Sequence, residues 1–389
     1  MQVHLINSKI KSDFDGYVFT ENDLHPNLPF FKINNLRPES ASAVNIIGLL
    51  EQSDYIRHII KIADRILDLN GVLKIKFFNF SFDSYCAPYR GYSSIMYELS
   101  ITLKDRYRLS AKKINGFTYE ISFIKFELAL PEYDSIEKWS FGLICGPKMQ
   151  KRVTEIIVNI EKLKIPTYEI LICGKYINKK KRKNILILDD NEFYNDERIP
   201  ISRKKNHIIK NANYNNLVLF HDRFYFPLDW FHKMKDYGNY FDGICPKILD
   251  VETKSKRVQD WISTSLNHLQ HKNIFPHRGV MSYNEWRPNW NLNGGHIIIK
   301  KHLIERILFN PNLNWGECED GDLCRRLDQD GFCLTFYNDL TIYSSTLRLK
   351  QSKNYPLLIK NLLNLKFKLS LIFGFYKRKK TFKEFLKNV

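Results

Sequence analysis

The hydrophobic positions of the first 135 residues alternate between helical and strand-like spacing. Apolar side chains recur every three to four positions over residues 55–67, which predicts a helix, and residues 68–71 are typical of a helix stop. The later elements of this unit are predicted at 72–78 (strand), 95–103 (helix), 116–123 (strand) and 124–130 (strand). We therefore expect a small α/β unit over residues 1–135, separated by a polar connector from the rest of the chain.

From Trp139 onward, fully apolar runs alternate with amphipathic ones. The predicted strands are 141–145, 168–174, 184–190 and 216–223, and the predicted helices are 151–163 and 203–212. Strands that are apolar throughout are buried on both faces, which is typical of a parallel sheet between two layers of helices. Ligands of such sheets bind beyond the carboxyl ends of the strands. The residues placed there are Gly174, Asp189, Asp190, His221 and Asp222.

A dense group of acids lies after the last predicted strands. Four of them lie within six residues and lead into a short helical pattern: Glu317, Glu319, Asp320 and Asp322. One or two carboxylates can cap a helix, whereas four packed together repel one another. Such a cluster favours a bound cation, a proton to be taken or a polyol to be held.

The composition is that of a folded protein with about two domains. The chain has 389 residues, 44% of them hydrophobic and 14% aromatic, enough for sizeable cores. It shows neither a secretory signal at its start nor an apolar run of about 18 to 20 residues that could span a membrane. The seven cysteines form no C-x-x-C pair and lie mostly in apolar runs, so we expect reduced, buried thiols in a cytoplasmic protein and no zinc site.

Positive charge is concentrated at the end of the chain. The formal net charge is +18, and residues 346–389 hold twelve Lys and Arg against one Glu, a net of +11. This tail combines a basic block at 377–380 with apolar residues at helical spacing, which predicts basic amphipathic helices on an anionic membrane surface. Docking on the catalytic domain and contact with RNA are the alternatives. The middle of the chain is closer to neutral, which argues against a nucleic-acid groove across the whole protein.

The ordered series of motifs between about residues 138 and 345 resembles GT-A fold glycosyltransferases of the broad family 2 group. Its first half runs through strand, helix, strand, an acidic strand end, Lys-Lys-Asn at 204–206 and LVLFHDR from 217. Its second half contains NGGHIIIKK from 293 and NWGECEDGDLCRRL from 314. The resemblance implies an α/β domain with a mostly parallel central sheet, a nucleotide-diphosphate sugar donor and a glycan acceptor.

On this resemblance, the donor's diphosphate is expected at residues 221–223. They fall where the family usually carries Asp-x-Asp, the strand-end motif that binds a divalent metal between the donor's two phosphates. Asp222 retains one acid, while His221 and Arg223 replace the others. Carboxylate oxygens suit Mg²⁺ or Mn²⁺, histidine also suits Mn²⁺, and the arginine can pair with phosphate directly. A divalent metal is thus expected, with an arginine-only alternative.

Other residues complete the donor side of the resemblance. The acids at 189 and 190 are expected to bind the base or ribose of the nucleotide, with turn capping as the alternative. The residues at 204–206 stand where the family often has an Arg-Asn pair near the diphosphate, and solvated lysines are the alternative. A small-residue turn lets backbone approach the transferred sugar. These donor-side candidates are Asp189, Asp190, Lys204, Lys205, Asn206, Gly294 and Gly295.

The acid cluster carries the acceptor side of the resemblance. Asp320 matches the second residue of the family's Glu-Asp motif and is the expected base, which takes the proton of the acceptor hydroxyl in an inverting transfer. Glu319 is expected to hold an acceptor hydroxyl or to orient the base, and Glu317 is an alternative base. Further acceptor-binding candidates, whose aromatic or amide groups suit a sugar, are Trp286, Trp290 and Asn293.

The unit at 1–135 carries a second resemblance. Helix, LNGVLKI, helix and two closing strands resemble the C-terminal half of a class I methyltransferase, but no glycine-rich cofactor loop precedes them. The stretch also looks too short for that fold's remaining strands. We expect a reduced, non-catalytic module for packing, homodimer formation or acceptor docking. For the whole chain we expect a transferase of bacterial capsule or lipopolysaccharide type with a glycan or lipid-linked glycan acceptor, and the alternative is a basic nucleic-acid-binding or scaffold protein.

Overall fold

The computed structural model describes most of the chain up to residue 345. The described residues are 1–6, 15–20, 23–24, 39–51, 53, 55–79, 91–127, 134–146, 149–177, 182–189, 199–251, 262–263, 279–280, 290–291 and 293–345. The basic tail at 346–389, Asp190 and Trp286 lie outside them, and so do their predicted roles. Within the described part, no helix is both long enough and apolar enough to cross a membrane.

The first unit is a six-stranded mixed sheet with two helices. Its strands are β1 (Gln2–Ile6), β2 (Tyr17–Thr20), β3 (Ala41–Ile47), β4 (Leu67–Phe78), β5 (Tyr107–Asn115) and β6 (Thr118–Lys125), and its helices are α1 (Ile56–Ile66) and α2 (Tyr92–Leu103). The strand order is β2-β1-β3-β4-β6-β5, with β1 to β4 parallel and β5 and β6 antiparallel. Apolar side chains of α1 and α2 pack on the sheet as one core.

Three expectations for this unit are wrong. The strand predicted at 116–123 corresponds to β6, whose bounds are 118–125, and its partner is the preceding strand β5 rather than a strand beginning at 124, while residues 128–130 lie outside the described part. β5 and β6 are joined at Gly116, whose φ of +57° suits the turn. The strand predicted from Val72 begins at Leu67, directly after α1, which ends at Ile66, one residue before the predicted helix end. The stretch is also long enough for further strands, because β1, β2 and β3 extend the sheet upstream.

The second unit is built on an eight-stranded sheet. Its strands are β7 (Lys138–Ile144), β8 (Thr167–Cys173), β9 (Ile185–Leu188), β10 (Asn216–His221), β11 (Phe224–Tyr225), β12 (Gly243–Asp250), β16 (His296–Lys300) and β17 (Leu334–Ser344). The helices are α3 (Gln150–Glu161), α4 (Ile201–Asn211), α5 (Trp230–Tyr237), α6 (Lys301–Ile304) and α7 (Glu319–Gln329). Three two-residue strands, β13 (Ile262–Ser263), β14 (Gly279–Val280) and β15 (Trp290–Asn291), form a separate small sheet.

The order of the large sheet creates a crevice at its centre. The order is β11-β17-β12-β16-β10-β7-β8-β9, in which β7 to β10 are parallel and β16 is antiparallel to both neighbours. The chain winds outward from β7 to β9 and then returns to β10 on the other side of β7. Parallel sheets bind ligands at such a reversal, beyond the carboxyl ends of the two diverging strands.

Helices cover both faces of this sheet, as the apolar strands predict. Apolar side chains of α3 and α5 pack in one core with Phe141 and Phe220, and those of α4 and α7 pack in another with Leu171 and Leu219. Because the two cores hold the strands from both sides, the strand ends at the crevice are fixed in position. The fold therefore provides a rigid edge on which polar side chains can be arranged.

Candidate functional site

Asp222 lies at the crevice, one residue beyond β10. Its backbone N–H donates to the carbonyl of Ile144 (3.1 Å), and its Oδ2 accepts from the backbone N–H of Gly146 (3.1 Å). The carboxylate is therefore held between the ends of β7 and β10, half-buried and oriented by a backbone donor. Sequence reasoning missed Gly146, because a backbone N–H leaves no mark in the side-chain pattern.

The neighbours of Asp222 contact the turn that precedes β16. The N–H of His221 donates to the carbonyl of Gly295 (3.0 Å). The guanidinium of Arg223 lies against the same glycine, since a Cβ built there would be 2.3 Å from Nη2 of Arg223. Arg223 also packs over the ring of Phe224, 5.0 Å from its centre. A side chain at 295 would therefore require this arginine to move.

Asp320 contacts the turn before β16 at Gly294, next to the glycine that Arg223 contacts. It lies in the first turn of α7, where its Oδ2 accepts from the N–H of Gly294 (2.9 Å) and its Oδ1 accepts from the N–H of Gly321 (2.9 Å). A Cβ on Gly294 would meet Cβ and Oδ2 of Asp320 at 2.7 Å. The turn at Asn293, whose Oδ1 accepts from the N–H of Gly295 (2.8 Å), thus brings Asp320 and Arg223 together on adjacent glycines.

The other three acids of the cluster each have a local partner. Glu319 forms a buried ion pair with Lys205 on α4, with 3.1 Å between Nζ and Oε1. Asp322 pairs with Arg326 one turn along α7 (2.8 Å). Oε2 of the exposed Glu317 accepts from the N–H of Asn314 (2.7 Å), which closes the turn before the helix. Each of these three carboxylates is therefore stabilised by its own partner, which offsets the mutual repulsion expected from the sequence. No shared cation is needed to explain the cluster.

Lys205 and Asn206, two expected donor-side residues, have partners within the protein. Lys205, fully buried, stands opposite Glu319 and over the ring of Phe309, 4.6 Å from its centre. Asn206 donates to the carbonyl of Phe309 (2.8 Å) and accepts from its N–H (2.9 Å). Because these polar groups join α4 to the segment before α7, they support the cluster from behind. Lys204 is also buried, so the expectation of solvated lysines is wrong.

The Lys205–Glu319 pair predicts a large, asymmetric effect on stability. Replacing Lys205 with Met leaves the buried carboxylate unpaired, and we expect the free energy of unfolding to fall by about 3–5 kcal/mol. A Lys205→Met, Glu319→Leu double variant should recover most of that loss, because no buried charge remains uncompensated. Urea unfolding of the three proteins tests this. A double variant no more stable than Lys205→Met would contradict a direct pair.

The remaining described candidates, Asp189 and Trp290, lie elsewhere in the second unit. Asp189 follows β9, the edge strand, and is exposed. Trp290 lies in β15 of the small sheet. Trp315, which sequence reasoning left unassigned, is 42% exposed on the turn before α7. Among the described residues, no group of three or more His, Cys, Asp and Glu side chains could hold a metal by itself. One carboxylate with substrate phosphates is a common Mg²⁺ arrangement, and Asp222 fits that donor set.

Sequence reasoning also missed His296, which lies under the site. It is fully buried among the rings of Phe220, Phe224 and Phe226, with centroids 5.5 to 6.3 Å away. Neither ring nitrogen has a hydrogen-bond partner within the described part of the chain. Burial lowers the pKa of His296 to about 3, so the imidazole stays neutral.

His296 predicts a pH dependence of stability. Below its ordinary pKa of 6.5 the unfolded chain binds a proton that the folded protein excludes, so stability is lost as the pH falls towards the folded pKa of about 3. Between pH 7 and pH 4 this loss is about 3 kcal/mol. Between pH 7 and pH 4, we expect the free energy of unfolding of His296→Leu to fall by about 3 kcal/mol less than that of wild type, as measured by urea unfolding. Equal losses would show that the imidazole is protonated in the folded state.

Comparison with known proteins gives distant structural likenesses. No family model matches the chain, and no curated protein matches it. It is similar to S. aureus TarS (TM-score 0.35, 14% identity, covering 62% of this chain and 75% of that chain). It is also similar to the mannosyltransferase PcManGT from Pyrobaculum calidifontis, solved with GDP-Man and Mn²⁺ (TM-score 0.37, 12% identity, 64% and 68% covered).

A smaller part of the chain is similar to the CurJ carbon methyltransferase. The TM-score is 0.22 at 10% identity, over 28% of this chain and 35% of that chain. All of these TM-scores lie below 0.5, so the likenesses do not establish a shared fold or assign an activity. The function therefore has to be inferred from the topology and the geometry of the site.

Proposed function

We propose that the protein is a glycosyltransferase that moves a sugar from a nucleotide-diphosphate donor to a glycan acceptor. The observation that carries this proposal is the meeting of four distant segments at one crevice. The N–H of Gly146 donates to Asp222 and the N–H of Gly294 donates to Asp320. The N–H of His221 donates to the carbonyl of Gly295, which links these two pairs. The same segments carry the sequence resemblance to GT-A glycosyltransferases, so motif order and geometry support the same function.

The donor is proposed to lie along the carboxyl ends of the parallel strands. Asp189 and Asp222 follow strands that are three positions apart in the sheet. At about 4.8 Å per strand this separation is about 14 Å, which suits a nucleoside at one end and its diphosphate at the other. Arg223, whose guanidinium lies against Gly295, is proposed to pair with the phosphates. Asp222 would hold a Mg²⁺ or Mn²⁺ ion, which supplies charge stabilisation of the leaving diphosphate.

Asp320 is proposed as the base. A carboxylate has about four lone-pair sites, so its two backbone hydrogen bonds leave room for an acceptor hydroxyl. The hydroxyl oxygen bonds to the anomeric carbon as the bond from that carbon to the diphosphate breaks. The proton passes to Asp320, and the nucleoside diphosphate leaves with the bonding electron pair. Attack from the face opposite the leaving group inverts the anomeric configuration.

The acceptor is proposed to be a glycan or lipid-linked glycan of a bacterial surface polysaccharide. The sequence of the tail at 346–389 motivates this choice, since its net charge of +11 suits an anionic membrane surface. Trp290, Trp286 and Asn293 remain proposed acceptor contacts. Binding to vesicles with and without anionic lipid tests the membrane step, and equal binding to both would contradict it.

The proposed activity is tested by incubating the protein with a panel of nucleotide sugars and Mn²⁺. We expect one donor to release its nucleoside diphosphate faster than the uncatalysed rate, with further acceleration by a glycan acceptor. An NMR spectrum of the product should show the anomeric configuration opposite to that of the donor. Retained configuration would contradict the role of Asp320, and release from no donor would contradict the activity.

A further inference from the structure

Arg57, on α1 of the first unit, hydrogen-bonds to the carboxyl end of α7. Its Nη1 donates to Oδ1 of Asp328 (2.8 Å) and to the carbonyls of Asp328 (3.1 Å) and Phe332 (3.1 Å). Its Nε donates to Glu98 on α2 (2.8 Å), which fixes the guanidinium from the other side. A cation at the last carbonyls of a helix satisfies unpaired acceptors and complements the helix dipole.

The turn after α7 fits against the end of α2. Lys104 pairs with Asp330, 2.7 Å from Nζ to Oδ2. Gly331 has a φ of +80°, and a Cβ built on it would lie 2.0 Å from the carbonyl oxygen of Ile101. The two backbones are therefore in direct contact, with no side chain between them. This contact fixes the position of the carboxyl end of α7 relative to the first unit.

Two further polar contacts join the first unit to the second. Asp242 accepts from Lys61 on α1 (3.1 Å) and from the N–H of Cys333 (2.8 Å), so it bridges the two units. Tyr240 donates its hydroxyl hydrogen to Asp64 on α1 (2.6 Å). Burial alone would raise the pKa of Asp64, but the nearby cations outweigh it and lower that pKa, so the carboxylate stays charged. A cavity of about 30 Å³ between the units has room for about one water.

Helix α7 connects this surface to the crevice. It has 11 residues and is therefore about 16 Å long, with Asp320 in its first turn and Asp328 in its last. A helix of this length moves as a rigid element, so a shift of its end is passed to its start. At the start, Asp320 accepts from the N–H of Gly294 and lies so close to this glycine that an added Cβ would be 2.7 Å from its Oδ2.

We propose that the first unit is a clamp on α7, in which Arg57 and Lys104 act as positioning residues that hold Asp320 against Gly294. The catalytic part of this proposal rests on the proposed glycosyl transfer. The mechanical part does not, because the hydrogen bond from Gly294 to Asp320 exists whatever reaction the site performs. The clamp gives the first unit a role that needs no methyltransferase cofactor.

Hydrogen exchange in the full chain tests the clamp without requiring turnover. Arg57→Gln removes the bonds to α7 and should make the Gly294 amide, followed in a peptide covering residues 293–296, exchange about tenfold faster. Exchange over β7 reports global unfolding and should not change. Arg108→Gln, on the exposed strand β5, is the matched control and should exchange like wild type. Unchanged exchange at 293–296 in Arg57→Gln would overturn the clamp.

A charge exchange separates the ion pair from general damage. Lys104→Glu should accelerate exchange at 293–296, and the added change Asp330→Lys should restore the wild-type rate. Failure of this restoration would contradict a specific pair. With the donor that the nucleotide-sugar panel identifies, Arg57→Gln should lower kcat and leave KM for that donor unchanged. Faster exchange with no loss of kcat would retain the mechanical clamp and count against Asp320 as the base.

Discussion

Asp320→Asn is expected to lower donor-dependent transfer by about 10²- to 10⁴-fold, the usual contribution of a positioned general base. The amide oxygen can still accept from Gly294, and only the bond from the adjacent Gly321 N–H is lost. The turn and α7 should therefore keep their positions while the group that takes the proton is removed. Turnover should therefore fall without a matching change in KM for the donor or in the free energy of unfolding. Initial rates of nucleoside diphosphate release measure this.

The control for that variant is Asp322→Asn, in the same helix turn. Its carboxylate pairs with Arg326, a partly exposed contact worth no more than about 1 kcal/mol. Activity within a few-fold of wild type is expected. If Asp320→Asn also stayed within a few-fold, the assigned base would be wrong.

Gly294→Ala is expected to reduce transfer by about 10²-fold, because a displacement of about 1 Å at a reacting group has an effect of this size. The added methyl group would lie 2.7 Å from Cβ and Oδ2 of Asp320, and Cβ of Asp320 is fixed to the first turn of α7. Either the turn or the helix must move, which breaks the contact between them. Donor binding at Asp222 should change little.

The matched control for Gly294→Ala is Gly116→Ala in the turn between β5 and β6. That glycine has a φ of +57°, so alanine there is strained by about 1 kcal/mol, but the new methyl group has no neighbour within 4 Å. Thermal unfolding of both variants measures the cost of backbone strain, and their turnover measures the effect of displacing Asp320. Equal activity in the two variants would contradict a special role for the turn at 294.

Much of the sheet could be predicted from the apolar pattern. Strands β7, β8 and β10 are buried along most of their length, and their continuous apolar runs indicated the expected parallel core. The insertion of β16 between β10 and β12 could not be predicted, because strand order depends on pairing between residues 76 to 84 positions apart in the sequence. In the first unit, the wrong bounds of β5 and β6 have a physical cause. The strand β5 is exposed along most of its length, so no apolar pattern marks it.

The acid cluster shows why a site is harder to predict than a fold. Its helix could be predicted, since α7 begins at Glu319. The repulsion argument could not include the cation that compensates Glu319, because Lys205 is 114 residues away in sequence and buried on α4. The importance of Gly294 and Gly295 lies in side chains that reach them from elsewhere, Asp320 and Arg223, which a turn pattern does not reveal.

The most direct test of the central claim is a thermal-shift titration of nucleoside diphosphates with and without Mn²⁺, on wild type and Asp222→Ala. One diphosphate should raise the Tm of wild type, and Mn²⁺ should enlarge that shift in wild type but not in Asp222→Ala. Asp320→Asn should respond as wild type does. No shift with any nucleotide, together with tight and salt-sensitive RNA binding, would contradict the donor site and favour a nucleic-acid-binding protein.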